Sequence, residues 1–200
     1  TNGTARLTLE WAALRLLARP AGFSRIEAFL SKNPEWPMAD WLRARAEQAM
    51  YVDNVSAQKI TNWFASNQPS SPTGHMLAAR RLLADGKKAE AAAIISRLWR
   101  EEDLGTWAEG ALLKEFAELL TAADHRWRSD RYFYKEKYPA SIAAAGKAGK
   151  DFLTFANART LVARGADPAK AGEKIDAKLR DDPTWHFARI TRLRKAQKYD

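Results

Sequence analysis

Apolar residues recur along this chain at spacings of three and four, and no stretch alternates convincingly between apolar and polar positions. That period predicts helices. Trp11, Leu14, Leu17 and Ala18 form one stripe, and Phe23, Ile26, Phe29 and Leu30 the next. Trp41, Leu42, Ala46 and Ala49 follow, then Ile60, Trp63 and Phe64. After Ser71-Pro72 come Met76, Leu77, Leu82 and Leu83, and later Ala91, Ile94, Ile95, Leu98 and Trp99. Aromatic residues at these spacings read as core. The punctuation agrees with helices. Ser71-Pro72, Asp167-Pro168 and Asp182-Pro183 each put a capping side chain before a proline, whose missing N–H has no intrahelical partner in the first turn. Gly86 and Gly165 stand where left-handed C-cap residues are expected. Residues 67–73 and 140–150 read as the longer connections, the second of low complexity.

Two stretches match at an offset of 35 residues: Pro34, Pro37, Leu42, Ala44 and Arg45 recur as Pro69, Pro72, Leu77, Ala79 and Arg80, with Met76 in place of Trp41. Self-similarity near this period is what stacked helical hairpins produce, since one hairpin cannot bury its own apolar face. The expectation is therefore an all-α fold. It would be a superhelical solenoid of stacked antiparallel helical hairpins, a right-handed α-superhelix of tetratricopeptide type, with residues 1–200 forming one domain. Such folds present long surfaces to partners and seldom hold a catalytic centre.

Composition narrows the choice of partner. The chain has 46% apolar residues, no cysteine and a net charge of +9. Without cysteine there is no disulfide, thiol nucleophile or thiolate metal site. No run of 18 apolar residues exists, so no membrane span is expected. The positive excess favours an anionic partner. Its densest stretch holds Arg189, Arg192, Arg194, Lys195 and Lys198 with no acid between them, either a candidate basic surface or an ordinary solvated helix face. Nucleic acid is disfavoured, because neither an arginine-rich recognition helix nor an aromatic strand platform is present.

Candidate chemistry is sparse. His75, His125 and His186 are far apart in sequence and lack paired-ligand spacing, so neither a metal nor a cofactor is expected. Gly146-Lys147-Ala148-Gly149-Lys150-Asp151 lacks the Ser or Thr and the preceding strand of a phosphate loop, and reads as a flexible turn. Glu27, Glu47, Glu109, Glu115 and Glu118 are acid/base candidates by residue type, but their helical contexts read as solvent-facing charge.

The segment 119–134 is the most specific. Thr121 and Asp124 form a capping box, and Asp130 lies four residues from Arg126, within pairing reach. His125, inside the cap motif, reads as a structural hydrogen-bonding residue. Here the chain resembles the soluble lytic murein transglycosylases of Gram-negative bacteria, whose superhelical region carries Leu-Thr-x-x-Asp-His-x-x-Arg-x-Asp-Arg. Leu120, Thr121, Asp124, His125, Arg128, Asp130 and Arg131 match it, while Tyr132, Phe133 and Tyr134 replace the apolar and Trp residues that usually follow. Phe187-Ala188-Arg189 before a basic helix is also similar to that family. The resemblance implies a periplasmic protein whose superhelix supports a separate C-terminal lysozyme-like domain in cis. That domain cleaves the β-1,4 bond of peptidoglycan to give 1,6-anhydro ends. Its Glu-Ser and Gly-Leu-Met-Gln motifs do not occur in residues 1–200, so the resemblance implies no catalytic residue here.

The ends of the chain carry expectations of their own. Thr1-Asn2-Gly3 reads as a processed or engineered start. With one inserted residue, residues 188–200 align with 79–90, so the chain stops where a second hairpin helix should begin and reads as a fragment. The last helix shows Trp185, Phe187, Ile190 and Leu193, more apolar surface than one face needs. The leading expectation is a non-catalytic superhelical region that helps seat anionic murein strands. The alternative is a tetratricopeptide-like adaptor for a protein or peptide.

Overall fold

A computed structural model describes residues 2–197, and the side chains of all of these except 2 and 18–20. Lys198 of the candidate basic surface, and the expected alignment of residue 200 with Glu90, lie outside the described residues. Every regular element described is helical: α1 (Asn2–Lys32), α2 (Ala39–Val52), α3 (Ala57–Ser66), α4 (Pro72–Ala84), α5 (Lys88–Glu101), α6 (Thr106–Phe116), α7 (Ala122–Tyr134), α8 (Tyr138–Ala148), α9 (Lys150–Ala163), α10 (Pro168–Ala171) and α11 (Pro183–Lys195), with short 3₁₀ turns between some of them. The all-α expectation holds. The chain divides into two compact units, one of Thr1–Leu98 with Glu102–Ala117, the other of Trp99–Glu101 with Glu118–Asp200.

In the first unit α1 packs on α2, α2 on α4, and α4 on α3 and α6. Helix α1 is not continuous: Leu17 (φ −126°) and Gly22 (φ 72°) leave helical geometry and split it into two segments. The second segment restarts at Phe23, whose N–H donates to Asp53 Oδ2 at 3.0 Å, so a carboxylate from the end of α2 caps it. The stripe Phe23, Ile26, Phe29 and Leu30 is buried with Leu14, Leu42, Ala46, Met50, Ile60 and Trp63. Leu17 breaks its predicted stripe and is exposed, because it sits at the kink. Leu82 is half-buried and Leu83 exposed, outside the core predicted for α4.

The matched stretches meet their helices differently: Pro72 begins α4, whereas Pro37 lies ahead of α2. Leu42 and Leu77 are both fully buried, and Arg45 and Arg80 each stack on an aromatic ring, Trp41 at 5.0 Å and Tyr51 at 4.3 Å.

Glu47 corrects the expectation of solvent-facing charge. It is fully buried on α2, between Ala46 and Met50. Its carboxylate accepts from Ser70 N (2.9 Å), Ser70 Oγ (3.2 Å) and Ser71 Oγ. Ser71 Oγ in turn accepts from Gly74 N at 3.0 Å as the N-cap of α4. The buried carboxylate is tolerated because both its oxygens find donors just ahead of α4. Gly74 is the sole residue type that fits beside it, since a Cβ there would overlap the Glu47 carboxyl group.

In the second unit α7 packs on α8, α8 on α9, and α9 on α11. Phe133, Ala145, Phe152, Phe155, Ala156, Val162, Trp185 and Ala188 form its core. Residues 140–150, expected as a connection, are mostly helix: α8 runs to Ala148, and the break narrows to Gly149 at φ 120°. Alanine has the highest helix propensity, and Ser141, Ala144 and Ala145 give a small-residue face that is buried in the packing with α7. Low complexity there records close helix packing rather than a loop. The caps that stand before proline form as expected at Ser71, Asp167 and Asp182, as do positive-φ glycines at Gly86 and Gly165.

Replacing Gly74 with Ala should lower stability by roughly 1–3 kcal/mol by overpacking, despite alanine's better helix propensity. Chemical denaturation of Gly74→Ala against the parent chain measures this, and an unchanged midpoint would contradict the close fit of Glu47.

Candidate functional site

The 120–131 segment builds the start of α7 as its pattern demands. Thr121 Oγ1 accepts from Asp124 N, and Asp124 Oδ2 accepts from Thr121 N at 2.7 Å, closing the capping box. Asp124 is almost fully buried, and its other oxygen accepts from Arg100 Nε at 2.6 Å. Leu120, just ahead of the cap, is half-buried. Arg128 is fully buried: it donates to the Trp99 carbonyl (2.6 Å) and the Tyr132 hydroxyl (2.7 Å), and stacks on the Trp99 ring at 4.1 Å.

His125 differs from its expected role. Its Nδ1 is buried without a hydrogen-bond partner, and the ring packs edge-on against Trp99 at 5.3 Å. Burial holds its imidazole below the ordinary value of 6.5, with nearby Lys147 acting in the same direction.

Below this turn lies a second buried cation. Arg159 of α9 is fully enclosed. Its Nη1 donates to Asp130 Oδ1 and to Thr184 Oγ1 (2.6 Å), and its Nη2 to Ser129 Oγ (2.8 Å) and Ser141 Oγ (3.4 Å). Phe133 lies 4.5 Å from the guanidinium, and Phe152 and Phe155 each lie 5.3 Å from it. Burial raises the Asp130 pKa and lowers that of Arg159, while their mutual attraction opposes both shifts. Asp130 also lies 3.8 Å from Arg126, as its spacing predicts, but Arg126 makes its short contact, 2.5 Å, with Asp182. Asp182 caps α11 by accepting from Thr184 N at 2.8 Å.

Of these polar groups Arg126, Asp130, Asp182 and Thr184 line an open groove of about 540 Å³, together with Trp127, Arg131, Tyr134 and Lys135. Trp127 is 57% exposed and Tyr134 46%. Two of the seven motif residues, Asp130 and Arg131, thus reach the groove, whereas Thr121, Asp124, His125 and Arg128 are committed to packing and capping.

The candidate basic surface is less uniform than its sequence. Arg194 and Lys195 both bind Glu136, at 2.5 and 2.8 Å, an acid brought from the turn after α7. Arg192 donates to the Gly165 carbonyl at 3.3 Å, and Arg189 is exposed among Asp167, Arg180, Asp181 and His186. Acids distant in sequence break the patch up.

Arg159, Ser129, Ser141 and Thr184 carry the groove's foundation and were not singled out by sequence. A signal existed for Arg159, which falls four residues after Phe155 on the apolar stripe of α9. Among the described residues no three His, Asp or Glu side chains converge as a metal site requires, and no helix is long and apolar enough to cross a membrane. Comparison with protein-family models, with characterised proteins and with solved structures gives no match.

Removing the buried cation should be severe. Arg159→Ala empties the space among Phe133, Phe152 and Phe155 and leaves the half-buried Asp130 with only Arg126, at 3.8 Å, and should cost roughly 3–5 kcal/mol, read by urea or guanidinium denaturation. His125 gives a pH-dependent outcome. Its pKa is depressed in the folded state, so the unfolded chain takes up the proton first on acidification. Its contribution is complete above about pH 6.5 and is lost as pH falls through the folded-state value. His125→Phe keeps the edge-on contact with Trp99 and should remove that part of the acid slope when denaturation midpoints are compared across the range.

Proposed function

We propose that this chain is the non-catalytic superhelical region of a periplasmic lytic transglycosylase. It would seat peptidoglycan strands for a C-terminal lysozyme-like domain in cis. The observation that carries the reading is the groove beside the 120–131 segment. The residues that resemble the family pattern, Asp130 and Arg131, line it together with the exposed rings of Trp127 and Tyr134. Aromatic faces suit sugar rings. The positive charge of Arg126, Arg131 and Lys135 suits the carboxylates of peptide stems. The 35-residue match between the stretches leading into α2 and α4 is the sequence feature that favours stacked hairpins.

No role as acid or nucleophile falls to a residue of this chain in this reading. Asp130 and Asp182 are held by Arg159 and Arg126, and Glu115 by Arg80 and Tyr51. Each carboxylate is engaged in structure. The tetratricopeptide-like adaptor is the competing reading, favoured by Leu9 and Leu16 standing exposed on α1.

Sedimentation with purified sacculi tests the proposal. Binding is expected at low salt, and should fall as ionic strength rises to about 0.15 M and above, where the Debye length drops to roughly 8 Å. Trp127→Ala should weaken it without lowering helical content, and no 1,6-anhydromuropeptides should be released. Absence of sedimentation at low salt, or an unaffected Trp127→Ala variant, would overturn the reading.

A further inference from the structure

The first unit carries a second aromatic pocket that the reading above does not use. It is open, about 680 Å³ in volume, and lined by Tyr51, Arg80, Trp107, Gly110, Lys114 and Glu115. That size falls within the ~300–1,000 Å³ range of small-molecule sites. Three of its side chains form a closed polar unit. Tyr51 Oη donates to Glu115 Oε2 at 2.8 Å, and Arg80 grips both Glu115 oxygens through Nε and Nη2. The Arg80 guanidinium lies 4.3 Å from the centre of the Tyr51 ring. Burial, reinforced by Glu115, pushes the Tyr51 hydroxyl up to about 12, so it stays a donor at any physiological pH. Each member is fixed by the other two, so the donors and acceptors of the cluster are held in place.

Trp107 stands beside this array, at 87° to the Tyr51 ring with centroids 5.8 Å apart, and remains 47% exposed. Gly110 lies one turn further along α6. Its φ is not positive, and a Cβ there would meet nothing within 4 Å. A glycine inside a helix is destabilising, and neither backbone geometry nor packing requires this one. Its effect is to keep the space next to the indole clear.

We propose that this pocket is a saccharide subsite, taking a β-linked pyranoside with equatorial substituents. Such a ring presents a flat face of axial C–H groups to an indole, while its equatorial hydroxyls meet the Arg80–Glu115 pair and Tyr51. Arg80 and Lys114 disfavour a quaternary ammonium ligand, which needs aromatic walls without cations. Glu115 disfavours a phosphate backbone. The inference stands apart from the groove at Trp127, and single variants separate the two.

The test is titration of the ¹⁵N-labelled chain with cellotetraose and with chitotetraose, following the tryptophan indole N–H signals. The signal absent from Trp107→Phe identifies Trp107 among the eight tryptophans. A saturable shift of that signal is expected with at least one tetrasaccharide, with loss of binding in Trp107→Ala. Gly110→Leu should weaken binding at least ~10-fold while melting at no lower temperature, because it fills the pocket and favours the helix. Glu115→Gln should weaken binding with the Trp127 signal unchanged. The proposal is overturned if neither tetrasaccharide shifts Trp107, if Gly110→Leu binds as the parent chain does, or if octathymidylate shifts Trp107 and the sugars do not.

Discussion

One buried guanidinium organises the second unit. Arg159 comes from α9, yet its partners lie on α7 (Ser129, Asp130), α8 (Ser141) and α11 (Thr184). A charge taken out of water is costly, and each partner offsets part of the loss, although the Arg159 Nε stays buried without one. Here one carboxylate neutralises it, three hydroxyls satisfy further N–H groups, and three phenylalanine rings surround the remaining surface. The four helices are thereby held in one arrangement. A purely apolar contact among them would permit sliding, because dispersion has little direction. The geometry of the groove follows, since Asp130 and Thr184 belong both to this cluster and to the groove lining.

Glu47 plays a comparable part in the first unit with opposite charge. It holds the loop ahead of α4 through Ser70 and Ser71, and that hold depends on Gly74 having no side chain. Asp53 likewise caps the restarted segment of α1 through Phe23 N. In each case a side chain from one helix satisfies the free N–H groups at the beginning of another. Helix ends and buried charges therefore solve each other's problem, and they fix how successive helices join.

The same logic explains why the groove and the Trp107 pocket are open but ordered. Their polar groups are tied into ion pairs beneath or beside them, while the indole faces of Trp127 and Trp107 stay accessible. A pre-organised polar wall costs little ordering on binding.

Much of the local structure was legible in the residues themselves. The period of three and four named the helices, the Asp-Pro and Ser-Pro steps named their starts, and Thr121 with Asp124 named a capping box that forms atom for atom. These are determined by neighbours a few positions away, which the sequence displays directly. What the tertiary structure alone decided were the fates of charged and small residues. Glu47 looked like surface charge and is buried, because its donors lie more than twenty residues on. Residues 140–150 looked like a loop and form α8, because their small side chains fit close against α7. The run Arg189 to Lys195 looked uniformly basic, yet Glu136 pairs with two of its members from across the fold. A charge has no periodicity that reveals its partner, and alanine has no bulk that reveals its neighbour. Both are settled only when distant segments meet.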